Sequence, residues 1–334
     1  MGFMSYSLKY YKEKIEYYEQ GGLTPAELYK AKQHLKMLDD LLDEGYTSLC
    51  DALEAQQNGV SRLRAVIREN QEEPFEMPNI PKMTADYSAE KYELSAFIES
   101  MILKAKKQST GSENPFLNEM KDFIRWIEYE ENTAYIFLLR DTLLPYIYFA
   151  DQNREHIYPW LLSRKAMESI TGKEYVDDDL REAFFDALDS GIKDFDEFKT
   201  FVKPKMLSVM EAYPKALEEI QGLLSQIKEE RILVIESGCY GTFPMLLAAL
   251  DERVDIRMFT AVPYMYEIYQ KRIFSPAYEK NRYFETLYSQ DVLMRFAGCV
   301  DKRFYVQQAE NESAIEDSLA EIKTILGGKN DDLK

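Results

Sequence analysis

Four short apolar runs in the second half of the chain give the strongest indication of its fold. They are residues 134–139 (AYIFLL), 157–162 (IYPWLL), 232–235 (ILVI) and 256–260 (IRMFT). Runs this short, without alternation of polar and apolar residues, are typical of parallel strands that are buried on both faces. Each run is therefore predicted to be a strand of one parallel sheet.

Helical patterns separate these runs. They follow the first three runs, at residues 142–150, 165–170 and 242–250. Regular alternation of strand and helix predicts an α/β domain. This domain is expected over residues 132–334, with a helical insertion at about 171–230 between its second and third strands.

The N-terminal part of the chain is predicted to be helical. Apolar residues at helical spacing indicate a helical hairpin over residues 1–70. Its apolar stripe either packs within its own chain or joins a second copy through residues 5–69. Residues 71–87 contain three prolines and are predicted to be a linker, and residues 88–131 form helices that lead into the sheet domain.

The low number of cysteines and histidines excludes several kinds of site. The 334 residues include 3 cysteines and 2 histidines, too few for a disulfide framework, a four-cysteine zinc site or a three-histidine metal site. His34 is predicted to be a solvated helix residue, and His156 lies at the start of the second strand, at the wrong end for catalysis. The net charge of −18 argues against a partner bound through nucleic-acid phosphates.

No membrane association is expected. The first residues lack the basic and apolar segments of a signal peptide. The longest apolar runs are far shorter than the roughly 20 residues that span a bilayer. The default prediction for the location is the cytoplasm.

The residues that follow the predicted strands form the candidate site, because ligands of open parallel sheets bind beyond the carboxyl ends of the strands. Arg140 and Asp141 follow the first strand, and Ser163 and Arg164 follow the second. The third strand ends in a loop that leads directly into a helix and contains Glu236, Ser237, Gly238, Cys239, Tyr240, Gly241 and Thr242.

This loop has the pattern of a backbone cradle for phosphate. Gly238 and Gly241 allow a tight turn and a close approach to a ligand. The free N–H groups of the following helix attract anions. Ser237 and Thr242 add hydroxyl groups, and the two arginines add positive charge. Glu236 is a candidate ligand for ribose hydroxyls or for Mg²⁺.

Plainer interpretations of the same residues stay open. The glycines could serve only a tight turn, with Thr242 as an ordinary N-cap. Cys239 lies where a thiolate is favoured, but it lacks a nearby base, so a small loop residue is the preferred interpretation. Packing is the default role for the tyrosines between residues 264 and 288, which include Tyr269, and a wall for stacking bases is the alternative.

The order of strand, loop and helix over residues 133–250 resembles the type I phosphoribosyltransferase fold. The segments FLLRDTLLPYIYFA and RILVIESGCYGTF carry the resemblance. In that family the loop after the third strand grips the sugar phosphate of phosphoribosyl pyrophosphate. The family pattern has two acidic residues before a Thr-Gly-rich loop, whereas this chain has only Glu236 and a shorter loop.

The motifs FLLRDT, LLSRKA and ESGCYGT also resemble a bacterial domain that is often attached to HAD-like hydrolases in polysaccharide gene clusters. The third strand tip of that domain carries Asp where this chain has Glu236. The HAD motif with the aspartate nucleophile is not found here, so the resemblance implies no phosphatase activity. Both resemblances imply a Rossmann-like, phosphoribosyltransferase-like α/β domain.

The sequence therefore predicts binding of a phosphorylated small molecule, either a nucleotide or a sugar phosphate. If the protein is an enzyme, the expected reaction is transfer or hydrolysis at a phosphoribosyl-type centre, with Mg²⁺ at Glu236. The alternative is a non-catalytic scaffold or sensor that acts through its helical N-terminal region. The single acidic residue at the strand tip and the lack of an evident base favour this alternative.

Overall fold

The described part of the chain forms two compact units in a computed structural model. The first unit contains the described residues up to 69 together with 265–267, and the second contains the rest. The structure describes residues 8–21, 23, 28, 31–32, 34–36, 38–39, 52–53, 59–69, 86–109, 111, 114, 117–139, 141–162, 166–167, 180, 183–184, 191–238, 241–261, 265–275 and 293–327.

The first unit has its own apolar core. It contains the helices α1 (Leu8–Tyr18) and α2 (Gly59–Glu69). The buried core residues are Tyr11, Ile15, Tyr18, Ala31, Leu38, Leu53, Val60, Leu63, Val66 and Ile67. The described part of the apolar stripe thus packs within its own chain, and association through residues 5–69 stays a prediction.

His34 belongs to this core, so the prediction of a solvated His34 is wrong. Its side chain is buried, and its Nδ1 atom lies 3.1 Å from the hydroxyl oxygen of Tyr18. Its ring also meets the edge of the Tyr11 ring, with centroids 5.9 Å apart. A buried imidazole is tolerated here because the Tyr18 hydroxyl provides a hydrogen-bond partner.

The remaining helices and strands follow one another along the chain. They are β1 (Tyr92–Glu93), α3 (Leu94–Lys106), α4 (Leu117–Trp126), β2 (Thr133–Leu138), α5 (Leu143–Asp151), β3 (Ile157–Trp160), α6 (Phe195–Glu211), α7 (Pro214–Leu224), β4 (Arg231–Glu236), α8 (Thr242–Leu250), β5 (Val254–Met258), α9 (Tyr266–Tyr269), β6 (Met294–Val300), β7 (Arg303–Gln308) and α10 (Glu312–Gly327).

The four predicted apolar runs form one parallel sheet, which confirms the predicted α/β class. The strand order is β3-β2-β4-β5, and every neighbouring pair is parallel. All six residues of β2 are buried, which explains their unbroken apolar character. The chain leaves β2 and β4 towards opposite edges, so right-handed crossovers place α5 and α8 on opposite faces. The helix contacts agree, since α8 packs against α6 and α5 packs against α10.

Strand β3 lies at one edge of the described sheet and contains a proline. The carbonyls of His156 and Trp160 accept hydrogen bonds from the N–H groups of Tyr135 and Leu139. The backbone of Pro159 is one residue out of phase with these bonds and is directed towards the open edge. A residue without an N–H group is tolerated there because the sheet needs no donor at that position.

A second sheet, antiparallel and with the strand order β1-β7-β6, was not predicted from the sequence. Its hairpin turns at Asp301 and Lys302, which both have positive φ, at 49° and 63°. Two-residue hairpins favour this conformation, but usually with Asn-Gly or Asp-Gly. A register shift between Phe296 and Gly298 further obscures the strand pattern.

Candidate functional site

The carboxyl ends of β2 and β4 lie side by side, with Phe137 opposite Ile235. In the sheet, β2 therefore lies between β3 and β4, the next two strands along the chain. After β2 and β4 the chain turns towards opposite edges, so the two loops diverge from one point at the end of the sheet. Ligands of open α/β sheets bind at such a switch point.

A hydrogen bond joins the two loops across this switch point. The Ser237 hydroxyl donates to Oδ2 of Asp141 over 2.9 Å. Ser237 is buried, at 4% exposure. Two residues that the sequence assigns to the site, 96 positions apart, are thus brought into direct contact. A hydrogen bond to an ionised carboxylate is stronger than one between neutral groups.

Backbone contacts hold the tip of β4 in place. The N–H group of Phe259 donates to the carbonyl of Glu236 over 2.9 Å, and that of Thr260 donates to the carbonyl of Ser237 over 3.1 Å. The parallel ladder with the β5 side therefore continues past the end of β4. Ser237 presents its hydroxyl from a fixed backbone.

The loop after β2 is anchored through Thr142. Its buried hydroxyl donates to the carbonyl of Leu138 over 2.9 Å and so returns to the strand. Its own carbonyl accepts from the N–H group of Tyr146 in the first turn of α5. Asp141 is thereby held between the end of β2 and the start of α5.

Gly241 needs to be a glycine for two structural reasons. Its φ of 71° lies in the left-handed region, which disfavours residues with a side chain. A Cβ atom at this position would also lie 2.6 Å from the hydroxyl oxygen of Tyr269 and 3.0 Å from the sulfur of Met258. Both reasons hold with or without a ligand.

Tyr269 contacts Gly241 in the loop that leads into α8. The sequence did not predict this contact. The Tyr269 side chain is fully buried, in agreement with the packing interpretation, and its hydroxyl donates to the carbonyl of Gly241 over 3.3 Å. Burial raises the pKa of this hydroxyl well above its ordinary value; the carboxylate of Glu236 raises it further, and Arg272 lowers it. Tyr269 is therefore a neutral donor over the physiological pH range.

The N-cap residue of α8 provides no side-chain cap. Gly241 occupies the N-cap position of this nine-residue helix and offers no side-chain acceptor. The first N–H groups of a helix need a partner from outside the helix, and the helix dipole favours an anion there. Thr242 follows at the first helical position and is buried.

Several predicted site residues lie outside the part of the chain that the structure describes. They are Arg140, Ser163, Arg164, Cys239 and Tyr240. The described residues supply the carboxylates of Asp141 and Glu236, the Ser237 hydroxyl and the backbone at Gly238 and Gly241.

His156 lies at the opposite end of the sheet from this site, as the sequence predicts. It immediately precedes β3, and its Nδ1 atom is 2.5 Å from Oε1 of Glu229. This pairing gives His156 a structural role at the amino end of the strands.

The sequence predicts Mg²⁺ at Glu236 in this site. Within the described ranges, no group of three or more His, Cys, Asp and Glu side chains is arranged to hold a metal ion. Mg²⁺, however, is commonly bound by one or two carboxylates while phosphates and waters complete its shell. Mg²⁺ at Glu236 stays a prediction.

Comparisons with known proteins give no family for this chain. No protein-family model, no curated protein and no solved structure matches it. Among the described residues, no helix combines the length and the apolar character needed to cross a membrane.

Proposed function

We propose that the protein binds a phosphorylated small molecule, a nucleotide or a sugar phosphate, at the switch point between β2 and β4. The observation that carries this proposal is the Ser237–Asp141 hydrogen bond in the loop that leads into α8, whose N-cap residue is a glycine. The N–H groups of the helix suit a phosphate. The carboxylates of Asp141 and Glu236 suit the hydroxyl groups of a sugar.

The finer part of the proposal is a phosphoribosyltransferase-like site. The four-stranded parallel sheet and the loop of residues 236–242 at a strand tip are features that the resemblance to type I phosphoribosyltransferases implies. Mg²⁺ held by Glu236 would neutralise phosphate charge. Transfer or hydrolysis at a phosphoribosyl-type centre is the reaction that such a site would support.

Thermal unfolding with a panel of ligands tests this proposal. The panel contains adenosine monophosphate, ribose phosphate and inorganic phosphate, each with and without Mg²⁺. A ligand at a hundred times its Kd adds about 3 kcal/mol of stability, which raises the Tm by several degrees. Ser237→Ala should reduce this shift, because it removes a hydroxyl at the switch point and releases Asp141.

Ser225→Ala is the matched control. The Ser225 hydroxyl donates to the carbonyl of Gly222 over 2.8 Å, at the end of α7 and away from the switch point. This variant should keep the full ligand-dependent shift. If no member of the panel shifts the Tm of the unchanged protein, the proposal is wrong.

We propose a scaffold or sensor role through the N-terminal helices as the second candidate. The first unit supports this role because it has an apolar core of its own, as a separate binding module requires. Under this proposal Ser237→Ala leaves the cellular function unchanged, and deletion of residues 1–70 abolishes it. The opposite pattern would favour the ligand-binding role.

A further inference from the structure

Tyr269 packs against Gly241 at the start of α8. Its ring lies 5.7 Å from that of Phe195, the first residue of α6. The guanidinium carbon of Arg272 lies 3.7 Å from the centroid of the Phe195 ring, on which it stacks. The tyrosine ring therefore has little freedom to move, and its hydroxyl points to a fixed place.

Arg272 is itself anchored to the edge of the sheet. Its Nε atom donates to Oδ1 of Asp255 in β5 over 2.6 Å. Burial opposes ionisation of Asp255, but the hydrogen bond and the charge of Arg272 outweigh this and hold the pKa of Asp255 below its ordinary value. A series of contacts thus connects β5, at the edge of the sheet, through Arg272 and Phe195 to Tyr269.

The Tyr269 hydroxyl and the missing side chain of Gly241 complement each other. The hydroxyl lies 2.6 Å from the position that a Cβ atom of residue 241 would take, and it donates to the carbonyl of the same residue. That carbonyl also accepts the N–H group of Met245, the first hydrogen bond of α8. One peptide group therefore connects Tyr269 to the direction of the helix start.

We propose that Tyr269 is a positioning residue for phosphate at the switch point: by holding the Gly241 carbonyl, it fixes the direction of the first N–H groups of α8. This inference rests on the proposed function. Tyr269 is buried beneath the loop and acts through Gly241 without contact with the ligand. A rigid set of donors binds an anion more tightly because less order has to be imposed on binding.

The test compares Tyr269→Phe with Tyr135→Phe. Tyr135 is also fully buried, and its hydroxyl donates to the carbonyl of Glu128 over 2.8 Å at the amino end of the sheet. Both variants lose one buried hydroxyl. The Tyr135 hydroxyl also accepts from the N–H group of Glu130 over 2.6 Å, so Tyr135→Phe should lose at least as much stability as Tyr269→Phe, measured by urea unfolding. Binding of adenosine monophosphate, inorganic phosphate and adenosine is then measured by calorimetry.

Tyr269→Phe should weaken the binding of adenosine monophosphate and inorganic phosphate by about tenfold, the effect of one hydrogen bond. It should leave any binding of adenosine unchanged, because adenosine has no phosphate. Tyr135→Phe should leave all three affinities unchanged. A purely structural role of Tyr269 would not distinguish adenosine from its phosphate, and equal effects on both would overturn the inference.

Phe195→Leu provides a second variant in case Tyr269→Phe fails to fold. It keeps the hydroxyl and loosens the surface on which Tyr269 packs, so it should weaken phosphate binding in the same direction and by less. Unchanged phosphate binding in both variants overturns this inference and leaves the proposed function standing. Absence of phosphate binding in the unchanged protein overturns both.

Discussion

Acidic side chains at the amino end of the parallel sheet pair with arginines, and at the carboxyl end Asp141 accepts a hydrogen bond from the Ser237 hydroxyl. Ion pairs among the described residues at the amino end include Arg231–Glu130 and Arg253–Asp251, and the His156 ring lies against Glu229. The Arg253 guanidinium also donates to the carbonyls of Ile227 and Glu229. These contacts stabilise the loops that precede the strands.

The contacts at the carboxyl end suit exchange with a ligand. Ser237 donates to Asp141, and Tyr269 donates to the carbonyl of Gly241. A hydroxyl can rotate towards a new acceptor at little cost, whereas removal of one partner of the half-buried Arg253–Asp251 pair leaves the other without its counter-charge. Under the proposed function, the contacts at the amino end stabilise the fold, and the ligand would bind at the carboxyl end.

The largest expected effect is that of Gly241→Ala on stability. The new Cβ atom would strike the Tyr269 hydroxyl and the Met258 sulfur at a position with positive φ, so we expect a loss of about 2–4 kcal/mol in the free energy of unfolding. Gly191→Ala is the control, since it shares a positive φ but has no atom within 4 Å of the added Cβ. It should cost about 1 kcal/mol. Equal losses in urea unfolding would show that the carboxyl end is loosely packed.

An intermediate effect is expected for Asp251→Asn at the amino end. The hydrogen bond from Arg253 lowers the pKa of Asp251 below its ordinary value, so the carboxylate stabilises the fold above the unfolded pKa. We expect the variant to lose about 2 kcal/mol near neutral pH. The difference from the unchanged protein should shrink as the pH falls through the lowered folded pKa.

The neighbouring Glu252 provides the control for this pH experiment. It pairs with Lys203, but its side chain is 74% exposed. Glu252→Gln should therefore change the free energy of unfolding by less than about 0.5 kcal/mol at any pH. A difference for Asp251→Asn that persists into acid would contradict the charge-based account of the amino end.

The smallest effect is expected for Arg231→Gln. Arg231 pairs with Glu130, and both side chains are more than one-third exposed. The loss should be about 0.5 kcal/mol or less and should disappear in high salt, because exposed ion pairs are screened. A larger, salt-independent loss would place Arg231 among the buried contacts of the amino end.

The parallel sheet could be predicted from the sequence because its strands are buried on both faces. Thr133–Leu138 has no exposed position, so its composition alone marks it as a buried strand. The antiparallel sheet could not, because most residues of Met294–Val300 are half-buried and its turn lacks the usual glycine. The strands were therefore easiest to predict from the sequence where their residues are most completely buried.

The candidate site could be predicted in part for a topological reason. Parallel strands end at the same edge, so Asp141 and Ser237 could be expected to lie near one another. Tyr269 could not be assigned to the loop, since it lies 28 residues after Gly241 and its role depends on three-dimensional packing. His34 was misjudged for the same reason, because its partner Tyr18 lies 16 residues earlier in the chain.

Pro159 has a consequence for how this protein can be engineered. A strand that joined the sheet beside β3 would find no N–H donor at the centre of that edge, so growth of the sheet is disfavoured there. The opposite edge already accepts further chain, because Phe274 and Ser275 donate to the carbonyls of Met258 and Phe259. A fused strand would therefore compete with this segment beside β5, whereas replacement of Pro159 by valine would restore a donor at the β3 edge and open that edge to self-assembly.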